Sequence, residues 1–366
     1  ALFAEVRAPV FGEANRRPGL ERLELSAAVR TERYESGLQS TVPKFGLIWS
    51  PLTAWTAKAT FGRSFRAPSL GELNERMNAT PVTLSAGGAS VLTLLLYGGN
   101  PNLEPETARS WTTSLEYAPA DGPARLSATL FDTKFENRIG QPAINNLSTV
   151  LTASDLAPFR QFVNPASSAS DLALVQSYLQ YATSGAATLY PPQAYRAIAD
   201  ARYVNAGAFE VQGLDFSGSY RLMVRGDPVV LDGSLSWLMS YSRKITTAAQ
   251  KTELVGTAEN PADLRARASA AWTHGPLTSS LSLNHTGDLH TNAGRRLPSQ
   301  TTVDLQLQYA TPAKDGPLRD VNLSLTVQNL FDRDPPFYDS PQGVGYDAAN
   351  YEPTGRVVAL QLTKAW

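Results

Sequence analysis

Cysteine is absent from the 366 residues of this chain, which excludes disulfide bonds, thiolate metal sites and a cysteine nucleophile. Histidine is scarce, with three residues in the whole chain. Neither sign of charge is in excess, since 32 lysines and arginines face 33 aspartates and glutamates. The resulting net charge of -1 argues against a nucleic-acid partner.

Long apolar runs are also lacking, and no stretch of roughly 18 or more apolar residues could form a transmembrane helix. The first residues contain neither an initiating methionine nor the basic and apolar segments of a signal peptide. The chain begins instead inside an alternating segment, at Leu2, Ala4 and Val6. We therefore expect it to be a piece of a longer protein.

A two-residue period of apolar and polar side chains runs through the chain. In Val321–Gln328, every odd-numbered residue is apolar and every even-numbered residue is polar. Such alternation predicts a strand with one face toward an apolar environment and the other toward water. We count about thirteen such segments. They lie at residues 2–6, 23–29, 45–49, 55–61, 111–117, 126–130, 214–220, 229–241, 264–272, 281–283, 303–309, 321–327 and 358–366.

The predicted connections alternate between short turns and long polar loops. The long loops lie near residues 64–108, 138–203, 242–262, 285–300 and 330–354. This alternation is typical of an antiparallel transmembrane β-barrel, which we predict as the all-β fold class. The mean hydropathy of -0.22 is compatible with a barrel, because half of each strand faces a polar interior. The alternative is a water-soluble β-sandwich, whose buried face would be richer in valine, isoleucine and phenylalanine.

Five motifs occur in a fixed order near predicted strand boundaries. They are Ala59–Leu73 (ATFGRSFRAPSLGEL), Gly99–Thr107 (GNPNLEPET), Asn205–Asp215 (NAGAFEVQGLD), Val327–Asp334 (VQNLFDRD) and Pro353–Arg356 (PTGR). Together they resemble the barrel of TonB-dependent receptors, the energised importers of the Gram-negative outer membrane. Their proline, asparagine and glycine residues suit the entry and exit of strands. We therefore expect these motifs to build the barrel rather than to bind substrate.

The resemblance implies a barrel of roughly 22 strands with an N-terminal plug. Counted back from Trp366, the predicted strands would be the last thirteen, so residues 1–366 would be the C-terminal portion of the barrel. The plug domain and the first strands would then be absent from this chain. Thirteen strands alone would leave two unpaired edges in lipid, so we do not expect the chain to fold in a membrane by itself.

The resemblance also implies a function and a location. The expected function is TonB-energised uptake of a scarce small-molecule or oligomeric solute, such as a siderophore, cobalamin, haem, carbohydrate or peptide. The expected location is the outer membrane of a Gram-negative bacterium. The expected partners are TonB (through the absent plug), the outer-membrane assembly machinery and the lipid bilayer, without a cofactor. A passive porin-like channel is the main alternative, and a barrel-embedded hydrolase is a weaker one.

The last strand resembles the signal that the outer-membrane assembly machinery reads. That signal is a final aromatic residue with apolar residues at alternate positions before it. Val358, Leu360, Leu362 and Trp366 fit the pattern. Lys364 departs from it, although a lysine near the end of a strand can extend to the polar interface.

Candidate solute contacts lie in the last long loop. Its aromatic residues Phe337, Tyr338, Tyr346 and Tyr351 could stack on an organic ligand, but packing within the loop would explain them equally well. The 138–203 loop is long enough to help cover the entrance.

Three charged residues are predicted to face the barrel interior. Arg265, Arg267 and Asp304 stand on the polar side of their strands. They would contact either the plug that the resemblance implies or water alone.

Candidate catalytic or metal-binding residues are few. His285, Asp288 and His290 are close in sequence, but their spacing matches no nucleophile motif. We therefore predict that the chain is not an enzyme, that it has no catalytic residues and no metal site, and that this loop is solvated.

Overall fold

The computed structural model describes residues 1–34, 37–182, 185, 188–246, 249–291, 293–313, 315–340 and 343–365. Most strands belong to one antiparallel sheet in which thirteen strands follow one another in chain order. They are β1 (Leu2–Phe11), β2 (Arg22–Arg33), β3 (Gln39–Leu52), β4 (Trp55–Arg66), β7 (Glu106–Tyr117), β8 (Ala124–Gly140), β11 (Val204–Val224), β12 (Asp227–Lys244), β14 (Leu264–His274), β15 (Leu277–Thr286), β18 (Gln300–Ala310), β19 (Val321–Gln328) and β20 (Val357–Lys364). The predicted all-β fold with about thirteen strands is confirmed for the described residues.

The connections confirm the predicted alternation of short and long. At one end of the sheet, the long-loop end, the chain leaves the strands at 67–105, 141–203, 245–263, 287–299 and 329–356. At the other end, the turn end, residues 53–54, 225–226 and 275–276 suffice to join neighbouring strands. The exceptions are 34–38, a short connection at the long-loop end, and 12–21 and 311–320, two longer connections at the turn end.

Register separates the two faces of the sheet. Across eight neighbouring strands, one row of opposed residues consists of Leu25, Leu47, Ala59, Thr113, Leu130, Leu214, Trp237 and Leu264. One residue along, the opposite face carries Lys58, Ser114, Thr129, Asp215, Ser236, Arg265, Thr286 and Gln300. We call these the apolar face and the polar face. A one-residue slip would exchange them, so the pattern fixes the register.

The sheet ends at β1 and β20. Among the described residues, β1 pairs with β2 alone and β20 pairs with β19 alone. These two strands therefore form the edges of the described sheet and are not paired with each other.

Two of the long loops fold together into a second sheet. It contains β5 (Asn78–Ala86), β6 (Ala89–Tyr97), β9 (Arg160–Phe162) and β10 (Ala197–Asp200), in the order β5-β6-β10-β9. The pairing of β6 with β10 is parallel, from Thr93 opposite Ala197 to Leu96 opposite Asp200. This pairing joins the 67–105 loop to the 141–203 loop, whereas the sequence pattern predicted only two irregular loops.

The second sheet forms because its central strand β6 is apolar on both faces. Leu94 and Leu96 pack in one cluster with Tyr195 and with α3 (Ala169–Leu179). Leu95 packs in the other cluster, with Val150, Leu156 and Ala199. A strand that is covered on both faces has a continuous apolar sequence. It lacks the two-residue alternation of apolar and polar residues by which the other strands were predicted.

Shorter elements complete the loops. They are α1 (Leu70–Asn74), α2 (Pro142–Asn145), two 3₁₀ turns at Ser154–Phe159 and Pro192–Ala194, and the two-residue strands β13 (Thr252–Glu253), β16 (Leu289–His290) and β17 (Arg296–Leu297). Within the described ranges, each helix is too short or too polar to cross a bilayer.

Gly213 lies on the polar face, where its missing side chain admits an aromatic ring. Phe131 stands opposite it on β8, and an added Cβ would lie 2.5 Å from Phe131 Cζ and 3.0 Å from the Trp237 carbonyl oxygen. The register between β11 and β12 shifts at this point. A glycine within a strand permits close approach of another group, and within the described residues the group that approaches Gly213 is Phe131.

We predict that Gly213→Ala destabilises the protein by about 1–3 kcal/mol, because the methyl group displaces the Phe131 ring. The measurement is thermal unfolding of the complete protein in detergent. Gly140→Ala is the control, since its Cβ would meet nothing within 4 Å. Adding Phe131→Ala to Gly213→Ala should lessen the effect of the alanine. Equal unfolding temperatures for Gly213→Ala and Gly140→Ala would contradict the prediction.

Candidate functional site

Three long loops pack against one another at the long-loop end. A single apolar cluster contains Ala258 and Ala262 from the first loop, Leu289 and Leu297 from the second, and Tyr338 and Tyr351 from the third. Backbone hydrogen bonds join the first two loops, from the Ala258 N–H to the His290 carbonyl and from the His290 N–H to the Gly256 carbonyl, both 2.8 Å long. The three loops therefore form one folded body, which we call the loop cluster.

A buried carboxylate organises the loop cluster. Asp347 is 1% exposed and accepts hydrogen bonds from the backbone N–H groups of Glu259 and Ala349 and from the Asn350 side chain. Buried carboxylates are costly unless hydrogen-bonded, and these donors compensate Asp347. The sequence analysis did not single out Asp347, and its only signal is an acid three residues before Asn350.

Asn350 connects the loop cluster to the wall of the sheet. Its Oδ1 accepts a hydrogen bond of 2.8 Å from Arg265 Nη2, and its Nδ2 donates one of 2.8 Å to the Asn260 carbonyl. Arg265 stands on the polar face of β14. The last long loop is thus held over the polar face by a side chain of that face.

The four aromatic residues proposed for solute contact have different surroundings. Tyr338 is 8% exposed and Tyr351 is 6% exposed, and burial raises the pKa of both phenols. Tyr346 is partly buried against the same cluster. Phe337 is 67% exposed, and the Arg295 guanidinium lies 5.9 Å from its ring centroid. Solute contact by all four stays a prediction, and this burial favours a supporting role for Tyr338 and Tyr351.

The three charged residues predicted to face the interior lie on the polar face. Arg267 is exposed and makes a long hydrogen bond, 3.4 Å, to Ser282. Asp304 accepts hydrogen bonds from the Asn284 side chain and from the Asn329 backbone N–H. Asp304 therefore holds the chain where it leaves β19, whereas the side chains of Arg265 and Arg267 remain exposed on the polar face.

The motifs at the base of the other two loops form an ion-pair network. Glu106 is 8% exposed and accepts hydrogen bonds from Arg66 Nε (2.8 Å), from Arg66 Nη2 (3.0 Å) and from the Ile139 backbone N–H (2.8 Å). Arg66 also donates two hydrogen bonds of 3.0 Å to Glu72 in α1. Strands β4, β7 and β8 are therefore joined where their loops begin.

Two asparagines of the motifs add to this network. Asn205 accepts a hydrogen bond of 2.7 Å from the Glu104 N–H and donates to the carbonyls of Glu104 and Asn137. Asn100 donates one of 2.9 Å to the Tyr203 carbonyl. These contacts are structural, as the sequence analysis expected of the motifs.

The turn after β19 is also held by polar side chains of a motif. Asn329 and Asp332 have positive φ, and Asn329 exchanges two hydrogen bonds of 2.9 Å with the Arg333 backbone. Asp332 accepts a bond of 2.7 Å from the Arg356 N–H. Asparagine and aspartate side chains thus satisfy backbone groups that are freed where β19 leaves the sheet.

The residues considered for hydrolysis or metal binding contact different partners. His285 lies in β15 and contacts the Thr301 hydroxyl at 2.8 Å. Asp288 is bonded to Arg296, which holds the pKa of its carboxyl below the usual value. Among the described residues, no group of three or more histidines and carboxylates could hold a metal ion.

The terminal strand presents apolar side chains on the apolar face. Val358, Leu360 and Leu362 are 63%, 70% and 70% exposed, and Lys364 Nζ donates a hydrogen bond of 2.6 Å to the Pro317 carbonyl. Trp366 lies outside the described residues.

A family model described as "TonB dependent receptor-like, beta-barrel" matches residues 2–330. The chain belongs to this TonB-dependent receptor family. Its members are Gram-negative outer-membrane receptors and transporters rather than enzymes. Among curated proteins, none matches the chain.

Several solved structures resemble the TonB-dependent receptor chain. A mutant ferric enterobactin receptor from Pseudomonas aeruginosa, in complex with enterobactin, is 18% identical, with 98% of this chain and 44% of that chain covered and a TM-score of 0.62. The siderophore receptor PirA from Acinetobacter baumannii is 14% identical, with coverages of 93% and 43% and a TM-score of 0.62. These likenesses show the fold, and the chain spans less than half the length of each structure.

We predict that Glu106→Ala destabilises the folded bases of the 67–105 and 141–203 loops by about 1–3 kcal/mol, because it removes one of the two carboxylates that pair with Arg66 and leaves the Ile139 N–H without its side-chain acceptor. The measurement is tryptic cleavage within these loops in the complete receptor. Glu104→Ala is the matched control, since its exposed side chain makes no hydrogen bond or ion pair with the described residues while its backbone holds Asn205. Identical cleavage of the two variants would refute a role for the Glu106 carboxylate.

We also predict that the fold of the α1 region becomes less stable in acid. The Arg66 guanidinium holds the pKa of the Glu72 carboxyl below its ordinary value of 4.5, so the ion pair stabilises the fold above that pH and is lost as the pH falls below it. Hydrogen exchange of residues 67–75, corrected for intrinsic rates, should therefore accelerate below that pH. Glu72→Gln should remove this dependence, and a dependence that survives in Glu72→Gln would rule the ion pair out as its cause.

Proposed function

We propose that the chain forms part of an outer-membrane receptor that imports a scarce, bulky solute with energy delivered by TonB. The observation that carries the proposal is the thirteen-strand meander with one apolar face, one polar face and folded loops at a single end. An apolar face of this kind suits lipid, and a polar face suits a water-filled or plugged interior. Membership of the TonB-dependent receptor family supports the same function.

We infer that residues 1–366 are the C-terminal portion of the barrel, with a plug and the first strands in the remainder of the protein. Two observations support this division. The chain covers 43–44% of the two receptor structures described above. The edges β1 and β20 are unpaired with each other in the described sheet, and open strand edges are not tolerated in lipid.

The proposed first contact of the solute is the exposed pair of Phe337 and Arg295. Arg295 also donates a hydrogen bond of 3.2 Å to the Phe337 carbonyl, so the cation and the ring are held together at the surface of the loop cluster. A ring beside a cation suits an anionic aromatic ligand. Ferric catecholate siderophores have this chemistry. Of the two structures compared above, one is named a ferric enterobactin receptor and the other a siderophore receptor.

Two further surfaces complete the proposal. Arg265 and Arg267, with Asp304 behind them, offer accessible charges of the polar face to the plug. The exposed apolar side chains of Val358, Leu360 and Leu362 suit engagement of the last strand by the outer-membrane assembly machinery.

The test of import uses the complete reading frame in a strain that lacks other siderophore receptors. Uptake of radiolabelled iron from a ferric catecholate siderophore should require the gene and should cease when TonB is deleted. Uptake that persists without TonB would contradict energised import and support a passive channel. Absence of uptake with every siderophore class tested, in a correctly inserted receptor, would reject iron import.

We predict that the Phe337→Ala/Arg295→Ala variant binds the transported siderophore about tenfold more weakly, which corresponds to about 1.4 kcal/mol. Binding to whole cells is the measurement. Phe331→Ala is the matched control, because Phe331 is 66% exposed at the same end of the sheet but lies in the turn directly after β19 and is not part of the apolar cluster of the three loops. The contact assignment fails if the double variant binds as tightly as Phe331→Ala.

A further inference from the structure

Three cations stand side by side on the apolar face, near the long-loop end. Arg63 on β4 is opposite Arg109 on β7, and Arg109 is opposite Lys134 on β8. Phe61 and Trp111, opposite each other two residues toward the turn end, lie on the same face and are each 37% exposed. The cations therefore form a row directly above an aromatic pair, and we call Arg63, Arg109 and Lys134 the cation row.

Beside the aromatic pair, the apolar face changes from apolar to polar side chains. Leu130 and Leu214 are opposed in an apolar row, whereas the next residues of the same face, Asp132 and Gln212, are joined by a hydrogen bond of 2.5 Å. Successive residues of one face are about 6.6 Å apart along a strand. The cation row thus lies one such step beyond the aromatic pair on β4 and β7, and two steps beyond Leu130 on β8. Such a boundary between apolar and charged side chains suits the depth where lipid headgroups meet a barrel.

The carboxylates beside the cation row, Glu136, Glu210 and Asp132, leave its two arginines without a direct ion pair. Like charges directly opposite each other destabilise a sheet. Lys134 is bonded to Glu136 at 2.6 Å, and Glu136 acts on both arginines only at longer range. Within the described part of the chain, neither the Arg63 nor the Arg109 guanidinium has an ion-pair partner within 4.0 Å. The repulsion between Arg63 and Arg109, which are both exposed, is therefore not relieved by a direct ion pair.

We propose that the cation row binds the phosphate group of a lipid in the surrounding outer leaflet, with Phe61 and Trp111 against the upper part of its acyl chains. Arginine presents paired donors that match phosphate oxygens, and a phosphate would relieve the repulsion between Arg63 and Arg109. The aromatic pair below suits the boundary between headgroups and acyl chains. This inference rests on the proposed location in an outer membrane and is independent of import.

The test is native mass spectrometry of the complete receptor in detergent, titrated with lipid A, with lipid A lacking its phosphates and with inorganic phosphate. We expect a bound lipid A that the dephosphorylated form does not replace. Arg63→Gln/Arg109→Gln should weaken binding at least tenfold, and Arg109→Gln alone should have an intermediate effect. The Arg125→Gln/Arg221→Gln control makes the same charge change on the polar face and should bind as the wild type.

Three results would overturn the proposal. They are equal binding of both lipid forms, unchanged binding by the folded Arg63→Gln/Arg109→Gln variant, and displacement of lipid A by inorganic phosphate at equal concentration, which would indicate an adventitious ion only. If the double variant does not fold, as shown by its heat-dependent gel mobility, Arg109→Gln decides the question. Loss of lipid binding with normal siderophore uptake would leave the proposed function intact.

Discussion

The structure depends on one constraint, that a strand surrounded by lipid must pair its backbone N–H and C=O groups with neighbouring strands. Each inner strand of the described sheet meets this constraint by pairing with the strands before and after it in the sheet, which follow in chain order, and this makes the meander the simplest solution. Paired backbones leave only side chains to meet the surroundings. The two-residue alternation follows directly, because each strand has one side toward lipid and one toward the interior.

The same constraint explains why the sheet could be predicted from sequence and the loops could not. A strand with one apolar and one polar face can be recognised in the sequence by its two-residue period, as in Val321–Gln328. The strand β6 has like faces, and its partner β10 lies about a hundred residues away, so neither period nor spacing indicates the pairing. Likewise, the aromatic sequence of the last loop cannot distinguish the exposed Phe337 from the buried Tyr351, because the difference is made by residues of two other loops.

The family motifs acquire a physical meaning from their contacts. Arg66, Glu106 and Asn205 are polar residues at the level where strands stop pairing and loops begin, and they supply the donors and acceptors that the sheet no longer provides. Their spacing is constrained by the strands, while the loops between them can differ in length and composition. Such residues mark a family without revealing its solute, which is why the sequence indicated the architecture more sharply than the cargo.

The parallel pairing of β6 with β10 has a consequence at the cell surface. With the long-loop end toward the medium, as solute binding by the loop cluster requires, the second sheet faces outside. Its outer surface is assembled from two stretches separated by all of β7, all of β8 and the turn between them. An antibody or a phage that approaches from outside meets an epitope composed of both stretches at once. Short peptides copied from either stretch would not reproduce that epitope, because neither contains the partner strand.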